Sequence, residues 1–270
     1  MNTSKMNGDA IRKILQPIKA ILSERQKALN QFMRLSLYST SEMQRLPELV
    51  SFVGKASSLR QPSMSAEFQH AEDFAGIARA EEAAGFATLF NFATIFTWGA
   101  LETAIHDTAV NWLMYVPEAR RQERVLRLKI PFIEYDELQP DERMRFVLHT
   151  LENDLGATFK PGISKFESVL KEIDLGGSVD EEIKKDLFEM ASVRNVLVHK
   201  AGISDQRFVD ACHWYGAAVG ETVSVNAVRY GRYRRQVMEY AQIVMIRVME
   251  RFDLVPTPGE LDELRSAVTT

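Results

Sequence analysis

No charged residue occurs between Ala83 and Leu101. A stretch of that length has two solutions, a membrane span or a helix enclosed by other helices. Thr88, Asn91, Thr94 and Thr97 recur every three residues and give such a helix a narrow polar stripe. The flanks are acidic, with Glu81 and Glu82 before and Glu102 after, whereas a span is bordered by Lys or Arg on one side. Both features favour a helix buried in protein, with no membrane partner.

The rest of the chain repeats the helical period. Ile11, Leu15, Ile18, Ile21, Leu22, Leu29, Phe32 and Met33 space a helix over 8–36, with Pro17 as an expected kink. Residues 37–63 hold Pro47, Gly54 and Pro62 and read as a short helix plus a linker. Helices follow at 65–84 and 86–115, separated by Gly85 and ended by Pro117. Further helices are expected at 141–153 and 163–173. Ser178 and Glu181 have capping-box spacing, so another is expected to start there and run to about Lys200. Residues 221–228 alternate and are β-branched, as in a short strand or extended loop. A last long helix spans 230–252, and a short tail helix follows Pro256 and Pro258. Many helices and few strands imply an all-α bundle. The expected division is an N-terminal helical extension at 1–62 and a helical domain at 63–270.

Charge and cysteine usage narrow the function classes. The net charge of -4 excludes a general electrostatic nucleic-acid binder, so any contact with nucleic acid must use a local basic patch. The single cysteine, Cys212, allows neither an intrachain disulfide nor a Cys-based zinc site, which fits a reducing cytoplasm. The N-terminus lacks the continuous apolar run of a signal peptide, being interrupted by Arg12, Lys13 and Lys19. Phosphate-cradling glycine loops are absent.

The chemistry concentrates in Met190-Ala-Ser-Val-Arg-Asn-Val-Leu-Val-His-Lys200. On a helix, Arg194 falls within the apolar stripe of Ile183, Leu187, Met190, Leu197 and Val198, about 20° from Ile183. A guanidinium there needs a carboxylate, carbonyls, a cleft or an anionic ligand, because burying an unpaired charge costs several kcal/mol. Glu102, Asp107 and Glu189 are available as partners, which is the structural alternative. Asn195 and His199 are four apart and lie on one flank. A neutral imidazole can take the proton from a ribose 2′-hydroxyl, and a guanidinium can hold two phosphate oxygens in the transition state. The amide can orient the histidine or bind the phosphate. No metal is required, because the nucleophile lies inside the substrate. A histidine at a helix C-terminus is otherwise simply a favourable cap.

The string Arg194-Asn195-Val-Leu-Val-His199 resembles the Arg-polar-(x)3-His signature of the HEPN superfamily, the higher eukaryotes and prokaryotes nucleotide-binding domains. The small turn Lys200-Ala201-Gly202-Ile203, the polar piece GETVSVN and the long final helix follow in the order the family uses. Trp98-Gly-Ala-Leu-Glu102 resembles part of its early long helix, and the resemblance covers about residues 83–255. It implies a HEPN-like helical bundle that dimerises and brings two motifs to one cleft. It also implies a metal-independent endoribonuclease of the toxin–antitoxin or phage-defence kind, with no cofactor. RNA, a second copy and an antitoxin or regulatory protein would be its partners. Arg194 and His199 would be catalytic and Asn195 would support them. The alternative within the family is an inactive module that binds a nucleotide or a partner.

Candidate RNA contacts are Lys200, Arg229, Arg232, Tyr233 and Arg235, which mix cations with an aromatic ring. The competing reading is a solvated helix start with Tyr233 packed inward. The run Arg120, Arg121, Arg124, Arg127 and Lys129 reads as a charged surface helix. Glu102 and His106 have the spacing of two metal ligands, but no third is evident, so neither is assigned to a metal. Glu102 is instead a candidate to pair with Arg194 and set its orientation. Cys212 reads as a small buried hydrophobe.

Overall fold

The computed structural model describes residues 8–56 and 63–254. The fold is all-α, and no strand forms among the described residues. The segment expected as a strand is extended but makes one isolated antiparallel bridge, Ile203 with Thr222. The 62/63 boundary and the tail helix lie outside the described residues.

The chain begins with α1 (Gly8–Ala20), which passes through a π-helical turn (Ile21–Arg25) into α2 (Gln26–Met43). Pro17 does not break the helix. It lacks the N–H that would bond to the carbonyl of Lys13, and the side-chain amide of Asn111 donates to that oxygen at 2.8 Å instead. The irregularity appears one turn later, as the π turn. Helix α2 runs beyond the expected end at residue 36, and α3 (Leu46–Ala56) follows with Pro47 in its first turn, where a missing N–H costs nothing.

Helix α4 (Ser63–Ala83) turns sharply into α5 (Ala87–Tyr115) through Gly85 and Phe86, both with positive φ. Glu81 caps the new helix by accepting from the backbone N–H of Thr88 at 3.0 Å. Helix α5 carries most of the charge-free stretch and packs against α1, α9, α11 and α13, although Phe92 and Phe96 remain exposed, at 64% and 48%. The apolar stripe of α1 (Ile14, Leu15, Ile18) shares one core with it. Past the exposed Thr88 the polar stripe faces protein too. Thr97 shares a hydrogen bond of 3.2 Å with the Tyr230 hydroxyl, and Asn91 accepts from the N–H of Val225 at 2.9 Å. No single helix is long and apolar enough to cross a membrane; α4 and α5 reach that length only as a pair bent by 67°.

Two short helices, α6 (Pro117–Arg120) and α7 (Glu123–Leu126), occupy the arginine-rich segment. Arg124 pairs with Asp154 and Arg127 with Glu123, as a charged surface would. Then come α8 (Phe132–Glu137), α9 (Pro140–Asp154) and α10 (Ser164–Glu172). Helix α11 (Glu181–His199) carries the candidate motif. Its cap is Asp180, whose carboxylate accepts from the N–H of Glu182, rather than Ser178. The short α12 (Gln206–Ala211) and the long α13 (Ala227–Glu250) complete the chain, and α13 packs against both α5 and α11.

Gly162 fixes the approach of α10 to α11. Its φ is +54°, and a Cβ there would lie 2.9 Å from Cα of Phe188. Gly162→Ala is expected to cost about 2–4 kcal/mol, combining a left-handed alanine with a clash against backbone. Urea unfolding measures this; a loss below about 0.5 kcal/mol would mean that the loop yields freely.

Candidate functional site

Helix α11 ends at His199, so the motif sits on its last two turns. Arg194 is partly buried, with 27% of its side chain exposed, while Asn195 and His199 lie on the surface. The Arg194 Nη1 donates to Asn195 Oδ1 at 3.1 Å, which ties the amide to the guanidinium. Among the described residues the His199 side chain makes no hydrogen bond or ion pair, so both ring nitrogens are open to solvent or a ligand.

The carboxylate nearest the guanidinium belongs to Glu102 on α5. Its Oε2 lies 3.7 Å from Arg194 Nη2, beyond hydrogen-bond distance. Asp107 and Glu189, the other carboxylates that the sequence offers Arg194, are engaged elsewhere. The other oxygen of Glu102 is taken by Lys165 of α10, whose ammonium also sits over the rings of Trp98 and Phe166. Glu102 is thus shared between two cations, and Arg194 is steered rather than neutralised. The Nε–H of Arg194 is buried and has no partner among the described residues. Nη2, which makes no hydrogen bond among the described residues and is not buried, keeps donor capacity for an anion.

Lys165 carries no signal of its own in the sequence. It lies 63 residues from Glu102, and nothing local marks it as the second cation.

The candidate RNA contacts divide. Lys200 and Arg235 are exposed, with Lys200 Nζ 3.6 Å from Asp205. Tyr233 is fully buried, so its ring cannot stack on a base; this corrects its assignment as an RNA contact. Its hydroxyl donates to Glu189 at 2.7 Å, and burial together with that carboxylate pushes its ionisation far above the usual tyrosine range. Arg232 donates to the same Glu189 oxygen at 2.5 Å. Arg229 places Nε 3.4 Å from it and stacks over Tyr215 at 3.7 Å. The indole of Trp214 donates to the other oxygen at 2.5 Å. Arg229 and Arg232 therefore hold α13 and the 213–215 turn onto α11, each leaving part of its side chain exposed.

Comparison with protein-family models, curated proteins and solved structures finds no match for this chain. Among the described residues no group of three or more His, Cys, Asp or Glu side chains converges as a metal site. Cys212 is buried as expected, and burial raises its thiol above the ordinary value, the opposite of an activated nucleophile.

Asp186 sits one turn before Glu189 and is also buried, with Oδ2 unbonded and Arg232 Nε 3.5 Å from Oδ1. Burial raises its carboxyl above the ordinary 3.8 despite the arginine. A raised carboxyl pKa means that the folded chain holds the proton longer than the unfolded chain. Stability tied to this group is therefore greatest below pH 3.8 and falls as pH rises through the folded value. Asp186→Asn is expected to gain stability relative to the parent across that window. Denaturation at pH 3.5 and pH 7 tests the sign, and a difference that shrinks towards pH 7 would contradict it.

Proposed function

We propose that the protein is an endoribonuclease that cleaves RNA by attack of a ribose 2′-hydroxyl on the adjacent phosphate, with Arg194 and His199 as its catalytic pair. One observation carries the reading: a guanidinium whose Nη2 makes no hydrogen bond among the described residues stands five residues before an exposed imidazole that has no partner among them, at the end of one helix. A structural arginine in a bundle would be saturated by its carboxylate. This one is held loosely by a carboxylate that serves Lys165 as well.

The chemistry balances without a further group. His199 accepts the 2′ proton as the 2′-oxygen bonds to phosphorus. The P–O bond to the 5′-oxygen breaks, and that oxygen leaves with a proton from solvent or an imidazolium. The products are a 2′,3′-cyclic phosphate and a 5′-hydroxyl end. Arg194 binds the non-bridging oxygens as negative charge grows on them. Asn195 Oδ1, which accepts from the guanidinium, helps to orient it.

The resemblance to HEPN ribonucleases supports this assignment and adds that the active form is a homodimer, with an antitoxin or regulatory protein as a further partner in the cytoplasm. Exposed Val198 and Ile203 flank His199 in the chain and are apolar surface that a second copy would cover. The experiment is incubation of the full-length chain with mixed-sequence RNA, followed by end analysis. Cyclic phosphate ends that vanish with His199→Ala support the reading. A folded wild-type dimer that leaves RNA intact refutes the nuclease and favours the nucleotide- or partner-binding module.

A further inference from the structure

Helix α3 packs on α4, yet of its 11 residues only Pro47 is buried. Leu49, Phe52 and Val53 are exposed by 54%, 71% and 56%. At the angular step of an α-helix these three fall within an arc of about 100°, on the side opposite Pro47. The stripe therefore points away from the rest of the helix's packing, and removing it from water is favourable.

Two charges border the stripe. Glu48 and Lys55 are both exposed, and neither makes an ion pair among the described residues. Being seven residues apart, they lie about 20° from each other on the Phe52 flank of the helix. Their separation along the axis is about 10 Å, too far for them to pair with each other. The flank thus carries an acid at one end and a base at the other. It is neutral in sum, so it offers no electrostatic attraction to an anionic membrane surface. Read in reverse, the pattern is complementary to itself.

We propose that α3 pairs antiparallel with the same helix of a second copy of this chain, around a twofold axis. Antiparallel packing sets the same flank of both helices side by side and runs their residues in opposite directions. An axis level with Ser51 and Phe52 puts Glu48 opposite the partner's Lys55, and Lys55 opposite the partner's Glu48. That axis also passes close to the middle of the Leu49–Val53 stripe, so the charge register and the apolar register agree. A parallel pair would bring like charges to one level. The three apolar side chains offer about 300 Å² per copy, less than the roughly 800 Å² per partner of a stable interface. The pairing is therefore weak and concentration-dependent. It uses no residue of the 194–199 motif and does not rest on the nuclease reading.

The test is sedimentation velocity of the full-length protein from low to high micromolar concentration. Self-association that grows with concentration is expected. Glu48→Lys and Lys55→Glu each turn two attractive contacts into two repulsive ones, and each alone should weaken association about tenfold or more. An equimolar mixture of the two variants should recover it, because each then meets the opposite charge on the other. Phe52→Asp should abolish it. All three side chains are exposed, so circular dichroism should show thermal midpoints close to the parent's. Val198→Glu separates this contact from the motif surface. Association that Val198→Glu removes and the α3 variants leave untouched belongs to the motif surface and overturns the proposal. A chain that stays monomeric throughout, a mixture no better than its components, or capture by phosphatidylserine vesicles without self-association also overturns it. RNA cleavage is scored separately: a protein that associates through α3 and leaves RNA intact keeps this contact and loses the nuclease.

Discussion

Replacing Glu189 by alanine is expected to destabilise the protein by about 3–5 kcal/mol, the loss typical of removing one partner from a buried charge network. Glu189 is 1% exposed and accepts from Arg232, Tyr233 and Trp214, with Arg229 3.4 Å away. Alanine leaves those donors without their acceptor, and Tyr233 in a place that is fully buried. The partners come from α13 and the 213–215 turn, so the change loosens both attachments to α11 at once. At roughly 2–4 °C per kcal/mol for a chain of this size, the thermal midpoint should fall by about 10 °C. Glu189→Gln keeps an acceptor and should lose less. Asp186 offsets part of the loss by remaining near Arg232. A Glu189→Ala protein within 1 kcal/mol of the parent in urea titration would show that the donors find other acceptors, against the geometry described.

The second large effect is on catalysis. His199→Ala is expected to lower RNA cleavage by about 100-fold to 10,000-fold, the usual contribution of a positioned general base. Arg194→Ala should fall by a similar factor through lost stabilisation of the phosphate. Their stabilities separate catalysis from architecture. His199 has no side-chain partner among the described residues to lose, and Arg194→Ala leaves Glu102 still bound to Lys165. Each should unfold within about 1 kcal/mol of the parent, as surface changes do. If Arg194→Ala instead costs about 3–5 kcal/mol, the guanidinium is a structural counter-charge and the ribonuclease assignment fails. Circular dichroism and chemical denaturation of the same preparations used for cleavage give both readings.

Some elements of the site are legible in the amino-acid sequence. The burial of Arg194 follows from its place on the apolar stripe, and Glu102 is one of three carboxylates that the chain offers it. The inward packing of Tyr233 is present as the competing reading of its basic segment. The hub at Glu189 leaves a trace as well. Asp186 and Glu189 are three apart, and so are Arg229 and Arg232, so each pair shares a helix face. Two faces of opposite charge on helices that both carry apolar stripes suggest docking, but only their register decides which charges meet.

The sequence by itself determined the all-α character and that one face of the 87–115 helix is buried, because periodicity and charge-free length are properties of neighbours along the chain. It also placed Arg194, Asn195 and His199 at the end of one helix. The tertiary structure alone decided that Lys165 shares Glu102, that Arg229 and Arg232 are committed to Glu189, and that Glu152 lines a cavity. These facts depend on how far one helix slides and rotates against another. That is fixed by the sum of many packing contacts, and no short window of sequence contains it.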